Sequence, residues 1–481
     1  MSTKTLANGK TVETYPLTQA QRFMFFVWKQ FSANSPFLFL GSGYYWKDDF
    51  RPDLLKEALE EAIARCDALR IRYTMENVNG NMQVMQYLLD TAETEVEDVD
   101  LSDMPYEESY EIIKGWTKEV IPIFDCPLNT VRIVRLADGL NGFYLKLNHL
   151  SFDGYALKAF IVDTMAIYLH KKCGTPYPKP MRSYYDAMME EFKYLDSDQR
   201  KEDRAYWMQH FSTMSEPIFN DYLIEGNRLK KAREEHPDQR FISLYEGDHP
   251  ETRTLTYELS KEDSDLIMDL CKEKNLSVPC VLMLGLRTAL SAFNDNQEDV
   301  SFKFMINRRG SLLSKKAYGN RWHFYSLRTI IPPELTFEQA VAEVEKVQST
   351  IFKHCNFDTL EMYQVKHLAM KQGAITNAGT ASYDSMTFSY HAPQEVPCEN
   401  EAVKATCIGV WYPTDFSAQN LYLTIKHRAN DNGFEFIFDY RISENSLEDL
   451  KVLYPKIVKA IMEGVRNPQI TMGEILDIIK L

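Results

Sequence analysis

A proline-rich segment sets the main constraint on how this chain can fold. Three prolines lie within five residues of the segment Cys173–Pro180, and proline suits neither a helix interior nor a central strand. The segment is therefore expected to be a stiff, extended connector. Since one hydrophobic core rarely organises more than about 250–300 residues, a chain of 481 residues is expected to divide near this connector. We predict an N-terminal lobe over residues 1–180 and a C-terminal lobe over residues 181–481.

The hydrophobic pattern predicts helices and strands that are mixed along the chain. The expected helices cover 18–31, 51–69, 155–169, 184–195, 200–213, 261–274, 277–293, 336–353, 446–465 and 472–480. The expected strands cover 71–75, 82–88, 130–136, 143–149, 253–259, 300–306, 324–331, 384–391, 404–412, 420–428 and 433–441. Gly226–Arg240 is expected to be a charged, exposed excursion. This order favours an α/β (α+β) fold of mixed sheets covered by helices.

The charge and the hydrophobic composition of the chain disfavour some classes of binding partner. The 54 Lys and Arg face 69 Asp and Glu, so the formal net charge is -15, and the mean field repels phosphate backbones and anionic membranes. A nucleic-acid binder is therefore disfavoured. The first seventeen residues lack the apolar core of a signal peptide, and no run approaches the ~18–20 apolar residues of a membrane span. We expect a cytoplasmic protein without a membrane span.

Several reaction classes are disfavoured because their motifs are missing. The eight cysteines form no C-x-x-C pair, and the histidines form no H-E-x-x-H. The sequence also contains no G-x-S-x-G elbow, no phosphate-binding G-x-x-x-x-G-K-[ST] loop and no strand-linked G-x-G-x-x-G. We therefore predict no metal site and no bound cofactor.

One strand-to-helix corner carries residues suited to catalysis. Alternation over Phe143–His149 places His149 at the end of an apolar row and Asn148 on the opposite face. Asp153 and Gly154 follow, just before an amphipathic helix. The spacing alone favours a purely structural role for both residues. Asp153 suits a helix N-cap, and a lone histidine is usually a hydrogen-bonded core residue. The alternative is a reactive imidazole at the corner.

The corner resembles a known motif. Asn148-His-Leu-Ser-Phe-Asp-Gly154 is similar to the HHxxxDG signature of nonribosomal peptide synthetase condensation domains, which belong to the chloramphenicol acetyltransferase-like superfamily of CoA-dependent acyltransferases. Only the first histidine differs, being replaced by Asn148. Tyr15–Arg22 resembles the family's opening S-x-A-Q-x-R motif, and Arg65–Tyr73 resembles its RHExLRTxF segment.

Later segments extend the resemblance from about residue 14 to 475. Ser183–Asp186 is similar to the family's Y-x-D segment, and Gly319–Arg328 occupies the place of GxFVNTLPLR. Within that last segment Gly319, Leu327 and Arg328 agree with the family, whereas Arg321, Trp322 and His323 do not. His323 is open to two interpretations, a contact to an unusual acceptor or a packed strand histidine, and the second is favoured.

The resemblance implies a fold and a reaction. It implies two chloramphenicol acetyltransferase-like lobes in a V-shaped pseudo-dimer, with the active site at the lobe interface. His149 would position and deprotonate a nucleophile that attacks a phosphopantetheine-linked thioester. Asp153 would hold the corner by pairing with Arg65, or with Arg70 as second choice. Gly154 would leave room for the substrate arm, and the Asn148 amide would replace imidazole in hydrogen bonding.

A cluster of basic residues stands out against the acidic mean. Arg308, Arg309, Lys315, Lys316 and Arg321 fall within fourteen residues that include no acid. Such a cluster would attract a phosphopantetheine phosphate, a CoA phosphate or an acidic carrier protein. A solvated loop is the alternative interpretation, and it is slightly favoured.

Three hypotheses for function follow. The first is a stand-alone condensation enzyme that transfers an acyl or aminoacyl group from a carrier-bound thioester to an amine in nonribosomal peptide or lipopeptide biosynthesis. The second is a CoA-dependent acyltransferase that makes an ester or amide on a soluble small molecule. The third is a noncatalytic module that binds carrier proteins. A condensation unit would occupy nearly all 481 residues, so acyl or peptidyl carrier proteins and the acceptor are expected to arrive in trans.

Overall fold

The computed structural model divides the chain into two compact units. It describes residues 2–30, 36–213, 218–235, 237, 250–310, 315–370, 384–429 and 431–480. Unit 1 comprises Met1–Asp196, Asn307–Trp322 and Glu395–Phe416, and unit 2 comprises Ser197–Ile306, His323–Gln394 and Ser417–Leu481. The expected single boundary at residue 180 differs from this division. Two later segments pack with the first unit, so no single cut in the sequence separates the two.

The described residues form fourteen α-helices and fifteen strands. The helices are α1 (Gln19–Gln30), α2 (Pro52–Arg65), α3 (Tyr106–Lys118), α4 (Gly154–Cys173), α5 (Tyr184–Leu195), α6 (Asp198–Ser212), α7 (Arg228–Glu235), α8 (Lys261–Lys274), α9 (Val278–Phe293), α10 (Phe337–Lys353), α11 (Thr359–Met370), α12 (Glu401–Lys404), α13 (Leu447–Arg466) and α14 (Met472–Ile479). The strands are β1 (Ser2–Thr5), β2 (Thr11–Pro16), β3 (Phe39–Trp46), β4 (Ile71–Val78), β5 (Asn81–Leu88), β6 (Val96–Asp100), β7 (Asn129–Arg135), β8 (Asn141–Asn148), β9 (Thr252–Glu258), β10 (Asp299–Ile306), β11 (His323–Ile330), β12 (Thr387–His391), β13 (Ile408–Tyr412), β14 (Leu421–His427) and β15 (Phe434–Arg441).

The strands assemble into three sheets among the described residues. Unit 1 holds a four-stranded sheet in the order β1-β2-β5-β4 and a five-stranded sheet in the order β13-β3-β8-β7-β6. Unit 2 holds a six-stranded sheet in the order β11-β10-β12-β14-β15-β9. Parallel and antiparallel pairs occur together, as in β6–β7 and β7–β8. The expected α/β class with mixed sheets is confirmed.

Most predicted elements are present, and the departures have physical causes. The connector after α4 has no regular structure from Gly174 to Pro180, as its prolines predict. The strand expected over 404–412 begins only at Ile408, because α12 occupies the preceding turn. The charged excursion contains α7, while residues 236 and 238–249 lie outside the described part of the chain.

The hydrophobic pattern did not predict strand β3, because this strand contains two glycines. A side chain at Gly41 would overlap the Thr117 side chain of α3, so the close approach of that helix requires glycine. Strand β3 pairs with β8 on one edge and with β13 on the other. This pairing brings residues from the last quarter of the chain into the first unit.

Strand β8 is central in its sheet and is buried on both faces. Tyr144, Lys146 and Asn148, on the face opposite Phe143, Leu145 and Leu147, are as buried as these apolar neighbours. Helix α3 covers this face, and the Lys146 ammonium donates hydrogen bonds to the carbonyls of Trp116 (2.8 Å) and Glu119 (2.5 Å). Burial lowers the pKa of Lys146 to about 8. Two-sided burial fixes the end of β8, where the candidate site begins.

Within the described residues, no single helix is long and apolar enough to cross a membrane. Helices α8 and α9 meet the length and composition criteria only when taken together, and they are bent by 117°.

The packing of β8 against β3 can be tested at one glycine. We expect Gly142→Ala to lower the free energy of unfolding by about 1–3 kcal/mol, because the new methyl group would overlap the Tyr44 carbonyl oxygen. The matched control is Gly115→Ala in α3, where no heavy atom lies within 4 Å of the new methyl group. That change is expected to raise the free energy of unfolding by about 0.5–1 kcal/mol. Urea unfolding measures both, and equal effects would contradict this packing.

Candidate active site

The corner between β8 and α4 is built by local hydrogen bonds. The Asn148 Oδ1 atom accepts from the backbone N–H of Leu150 (2.8 Å) and so closes the turn. Asp153 caps α4, since its Oδ1 accepts from the backbone N–H of Ala156 (2.8 Å). Asn148 and Asp153 are buried, whereas His149 is partly exposed. The turn therefore fixes the corner, at which His149 is the partly exposed residue.

Asp153 also forms a buried bidentate ion pair with Arg309. The Nη1 and Nη2 atoms of Arg309 lie 2.7 and 3.0 Å from the two carboxylate oxygens, and both side chains are at most 3% exposed. The backbone N–H of Arg321 donates to the same carboxylate (3.0 Å). Four donors thus satisfy one carboxylate, which is the condition under which a buried charge is tolerated.

The expected partners of Asp153 are therefore wrong. The Arg65 Nη2 atom lies 3.2 Å from Oδ1 of Asp163, and Arg70 donates to the carbonyl of Asp90 (2.7 Å). Arg65 ends α2, which packs along α4. Asp163 lies ten residues after Asp153, about 15 Å farther along the helix at 1.5 Å per residue. Arg65 supports the middle of α4 and not its start.

The basic cluster proves to be mostly buried. Arg308 pairs with Glu191 (3.1 Å) and also donates to Gln19 (2.5 Å). Arg309 pairs with Asp153, and Arg321 is 6% exposed. Only Lys315 and Lys316 are exposed. The expected anion-binding patch is wrong for the three arginines. Arg308 and Arg309 pair with acidic residues from distant parts of the chain, and the Arg321 guanidinium donates to the Ala187 carbonyl (3.1 Å).

The segment Gly319–Trp322 contacts His149 directly. The Asn320 Nδ2 atom donates to the carbonyl of His149 (2.5 Å). The Trp322 indole N–H donates to the imidazole Nδ1 (3.3 Å), and the two ring centroids are 5.4 Å apart. Sequence reasoning missed both residues as site residues. One signal in the sequence could have identified Trp322. It differs from the family motif, although Gly319 in the same segment agrees with that motif.

His323 follows this segment as the first residue of β11 and is fully buried. The packed strand interpretation therefore agrees with its position.

Burial controls the protonation of His149. It lowers the pKa of the imidazole, while the charge of Asp153 and the backbone carbonyls of His149 and Phe152 oppose this effect. The imidazole is therefore neutral at pH 7, with one ring nitrogen able to donate and the other able to accept. A neutral imidazole can take a proton from an attacking nucleophile or donate a hydrogen bond to a developing oxyanion.

Two further observations bear on the expected site. A methyl group at Gly154 would have no heavy atom within 4 Å. Open space thus surrounds this first position of α4, and packing alone does not demand glycine there. The expected room for a substrate arm stays a prediction. Among the described residues, no group of three or more His, Cys, Asp or Glu side chains could hold a metal ion.

Comparisons with solved structures show that the chain has the fold of condensation domains. The first condensation domain of the calcium-dependent antibiotic synthetase aligns with a TM-score of 0.76 and 16% identity, over 96% of this chain and 98% of that one. The starter condensation domain of rhizomide synthetase RzmA, in complex with C8-CoA, aligns with a TM-score of 0.76 and 14% identity, over 96% of each chain.

Sequence comparison defines the family. Residues 11–476 match the condensation-domain family, and the chain belongs to it. Members of this family are amide-forming acyltransferases, so the class of enzyme expected from the sequence is confirmed at that level. Surfactin synthase subunit 1 of Bacillus subtilis (strain 168) is 22% identical over 470 residues. The match covers 96% of this chain and 12% of the synthase, so the chain spans about an eighth of that protein.

The ion pair between Asp153 and Arg309 predicts a large effect on stability. Asp153→Ala should lower the free energy of unfolding by about 3–5 kcal/mol, because the Arg309 guanidinium would remain buried without its counter-charge. The double variant Asp153→Ala/Arg309→Ala should lose less than the sum of the two single variants. Denaturant unfolding of all three proteins measures this difference.

The matched control is Glu97→Ala, which breaks a more exposed ion pair with Arg132 in the same unit. Its expected cost is within about 1 kcal/mol. A loss of activity in Asp153→Ala with unchanged stability would contradict the structural role of Asp153.

Proposed function

We propose that this chain forms amide bonds by transferring an acyl or aminoacyl group from a phosphopantetheine thioester to an amine. The observation that carries the proposal is the corner itself. His149, a partly exposed residue with a neutral imidazole, lies at the end of a buried strand and is flanked by the buried pair of Asp153 and Arg309. This arrangement holds a group that can accept a proton or donate a hydrogen bond in a defined place next to open space.

The proposed reaction balances without a cofactor. The amine nitrogen attacks the thioester carbonyl carbon, so that a carbon–nitrogen bond forms and the carbonyl oxygen becomes an oxyanion. The oxyanion then collapses, the carbon–sulfur bond breaks, and the proton from the amine leaves with the thiolate as a thiol. A neutral imidazole can serve this sequence as proton acceptor or as donor to the oxyanion.

Asp153 is proposed to act through structure and not as a proton relay. All of its contacts described above are to donors that fix its position, namely the Arg309 guanidinium and the backbone N–H groups of Ala156 and Arg321. Its charge stabilises the corner and acts on His149 only at a distance.

The donor is proposed to be either a carrier protein or CoA that presents the phosphopantetheine arm. The relationship to surfactin synthase favours a carrier-bound donor in peptide or lipopeptide synthesis, whereas the RzmA domain is described in complex with C8-CoA. Supplying acyl-carrier and acyl-CoA donors separately distinguishes the two. A cytoplasmic location remains a prediction.

The central test is His149→Ala. We expect product formation to fall about 10²–10⁴-fold, the usual contribution of a positioned proton-transfer or hydrogen-bonding group, with little change in thermal stability. Intact-mass analysis of carrier proteins and small-molecule products measures turnover. The matched control is His170→Ala in the last turn of α4, where the ring contacts the Thr175 carbonyl. Undiminished product from His149→Ala would overturn the proposal. Tight carrier binding without turnover in the wild type would instead support the noncatalytic hypothesis.

The two exposed lysines of the basic cluster provide a second test. The Tyr155 hydroxyl, in the first turn of α4, donates to the Lys315 carbonyl (2.9 Å), so these lysines lie beside the corner. We expect Lys315→Glu/Lys316→Glu to raise the apparent KM for the carrier or CoA donor at low salt and to leave kcat unchanged. The control is Lys201→Glu, an exposed lysine of α6. Equal KM values for the wild type and the double variant at low salt would show that the two lysines do not contribute to donor binding.

A further inference from the structure

The contact between Trp322 and His149 constrains which imidazole nitrogen carries the proton. An indole N–H can donate a hydrogen bond but cannot accept one. The Trp322 Nε1 atom lies 3.3 Å from Nδ1 of His149 in donating geometry. Nδ1 must therefore be unprotonated for this bond to exist. In a neutral imidazole the proton then resides on Nε2.

The same segment also contacts one of the two carbonyls that could accept from a protonated Nδ1. A protonated Nδ1 would need an acceptor nearby, and the carbonyls of His149 and Phe152 face the ring. The His149 carbonyl already accepts the Asn320 amide at 2.5 Å. Asn320 takes one of the two lone pairs of this carbonyl, and the Trp322 donor is the contact that favours the form with Nδ1 unprotonated. Both residues precede β11 in one short stretch of unit 1.

The position of Trp322 is itself restrained. Its side chain is only 7% exposed, and its ring meets Phe23 of α1 edge to face, with centroids 5.7 Å apart. A buried indole packed in this way loses little rotamer entropy when it donates. Trp322 also belongs to the part of Gly319–Arg328 that departs from the family pattern. The departure thus coincides with a contact to the reacting residue.

We propose that Trp322 is a positioning residue that fixes His149 as the Nε2–H tautomer. The inference rests on the proposed acyl transfer. In this form Nε2 donates a hydrogen bond to the thioester carbonyl oxygen as it gains charge, and the imidazole does not remove the proton of the amine. That proton leaves with the thiolate, as the balanced reaction requires. This role differs from the expected one, in which His149 deprotonates the nucleophile.

Nitrogen NMR tests the tautomer without any substrate. The full-length protein is labelled with ¹⁵N-histidine, and the His149 resonances are assigned by their loss in His149→Asn. At a pH where the imidazole is neutral, we expect an unprotonated Nδ1 and a protonated Nε2. In Trp322→Phe, which keeps an aromatic ring but removes the N–H donor, we expect a shift towards the Nδ1–H form. Trp411→Phe, at an exposed tryptophan of β13, should leave the spectrum unchanged.

Kinetics provide a second readout. We expect Trp322→Phe to lower kcat about 2–10-fold, the factor that corresponds to one ordinary hydrogen bond, with a nearly unchanged KM. A protonated Nδ1 in the wild type, or an unchanged tautomer in Trp322→Phe, would overturn the inference. Because the spectra need no substrate, that failure is distinct from a failure of the proposed function, which would appear as absent turnover in the wild type.

Discussion

The buried ion pair between Asp153 and Arg309 is the interaction on which the candidate site depends. Its carboxylate receives the N-terminal N–H of α4, two guanidinium donors and the backbone N–H of Arg321. One side chain therefore joins the end of β8, the start of α4 and the segment Asn307–Trp322. Burying two charges is costly unless each is fully hydrogen-bonded, and here the geometry supplies those bonds. The position of His149 follows from this corner.

The segment Asn307–Trp322 explains how a later part of the chain completes the first unit. It supplies Arg309 to Asp153, Arg308 to Glu191, and Asn320 and Trp322 to His149. The run of basic residues that looks like an anion-binding patch in the sequence is thus largely internal. Adjacent like charges are tolerated in the interior because each arginine has its own distant acceptor. The charge left on the surface at this place is that of Lys315 and Lys316.

Two departures from the family motif have local structural explanations. Asn148 replaces the first histidine, and its side-chain oxygen closes the turn by accepting from Leu150. Trp322 replaces a residue of the later motif, and its indole donates to Nδ1 of His149. Neither substitution removes the reacting imidazole. Both substitutions change the hydrogen bonds around the imidazole. Differences of this kind can alter the function of a site while the fold stays the same.

The sequence by itself determined the local features of the site and of the fold. Alternation and capping predicted that His149 ends a strand and that Asp153 begins a helix, because these signals depend on neighbouring residues. Proline content predicted the connector before α5. Only the tertiary structure decided the partner of Asp153 and the donor to His149. Arg309 lies 156 positions from Asp153, and Trp322 lies 173 positions from His149. A buried carboxylate can pair with any arginine that the fold places beside it. The spacing of residues in the sequence therefore does not predict which distant residues come into contact.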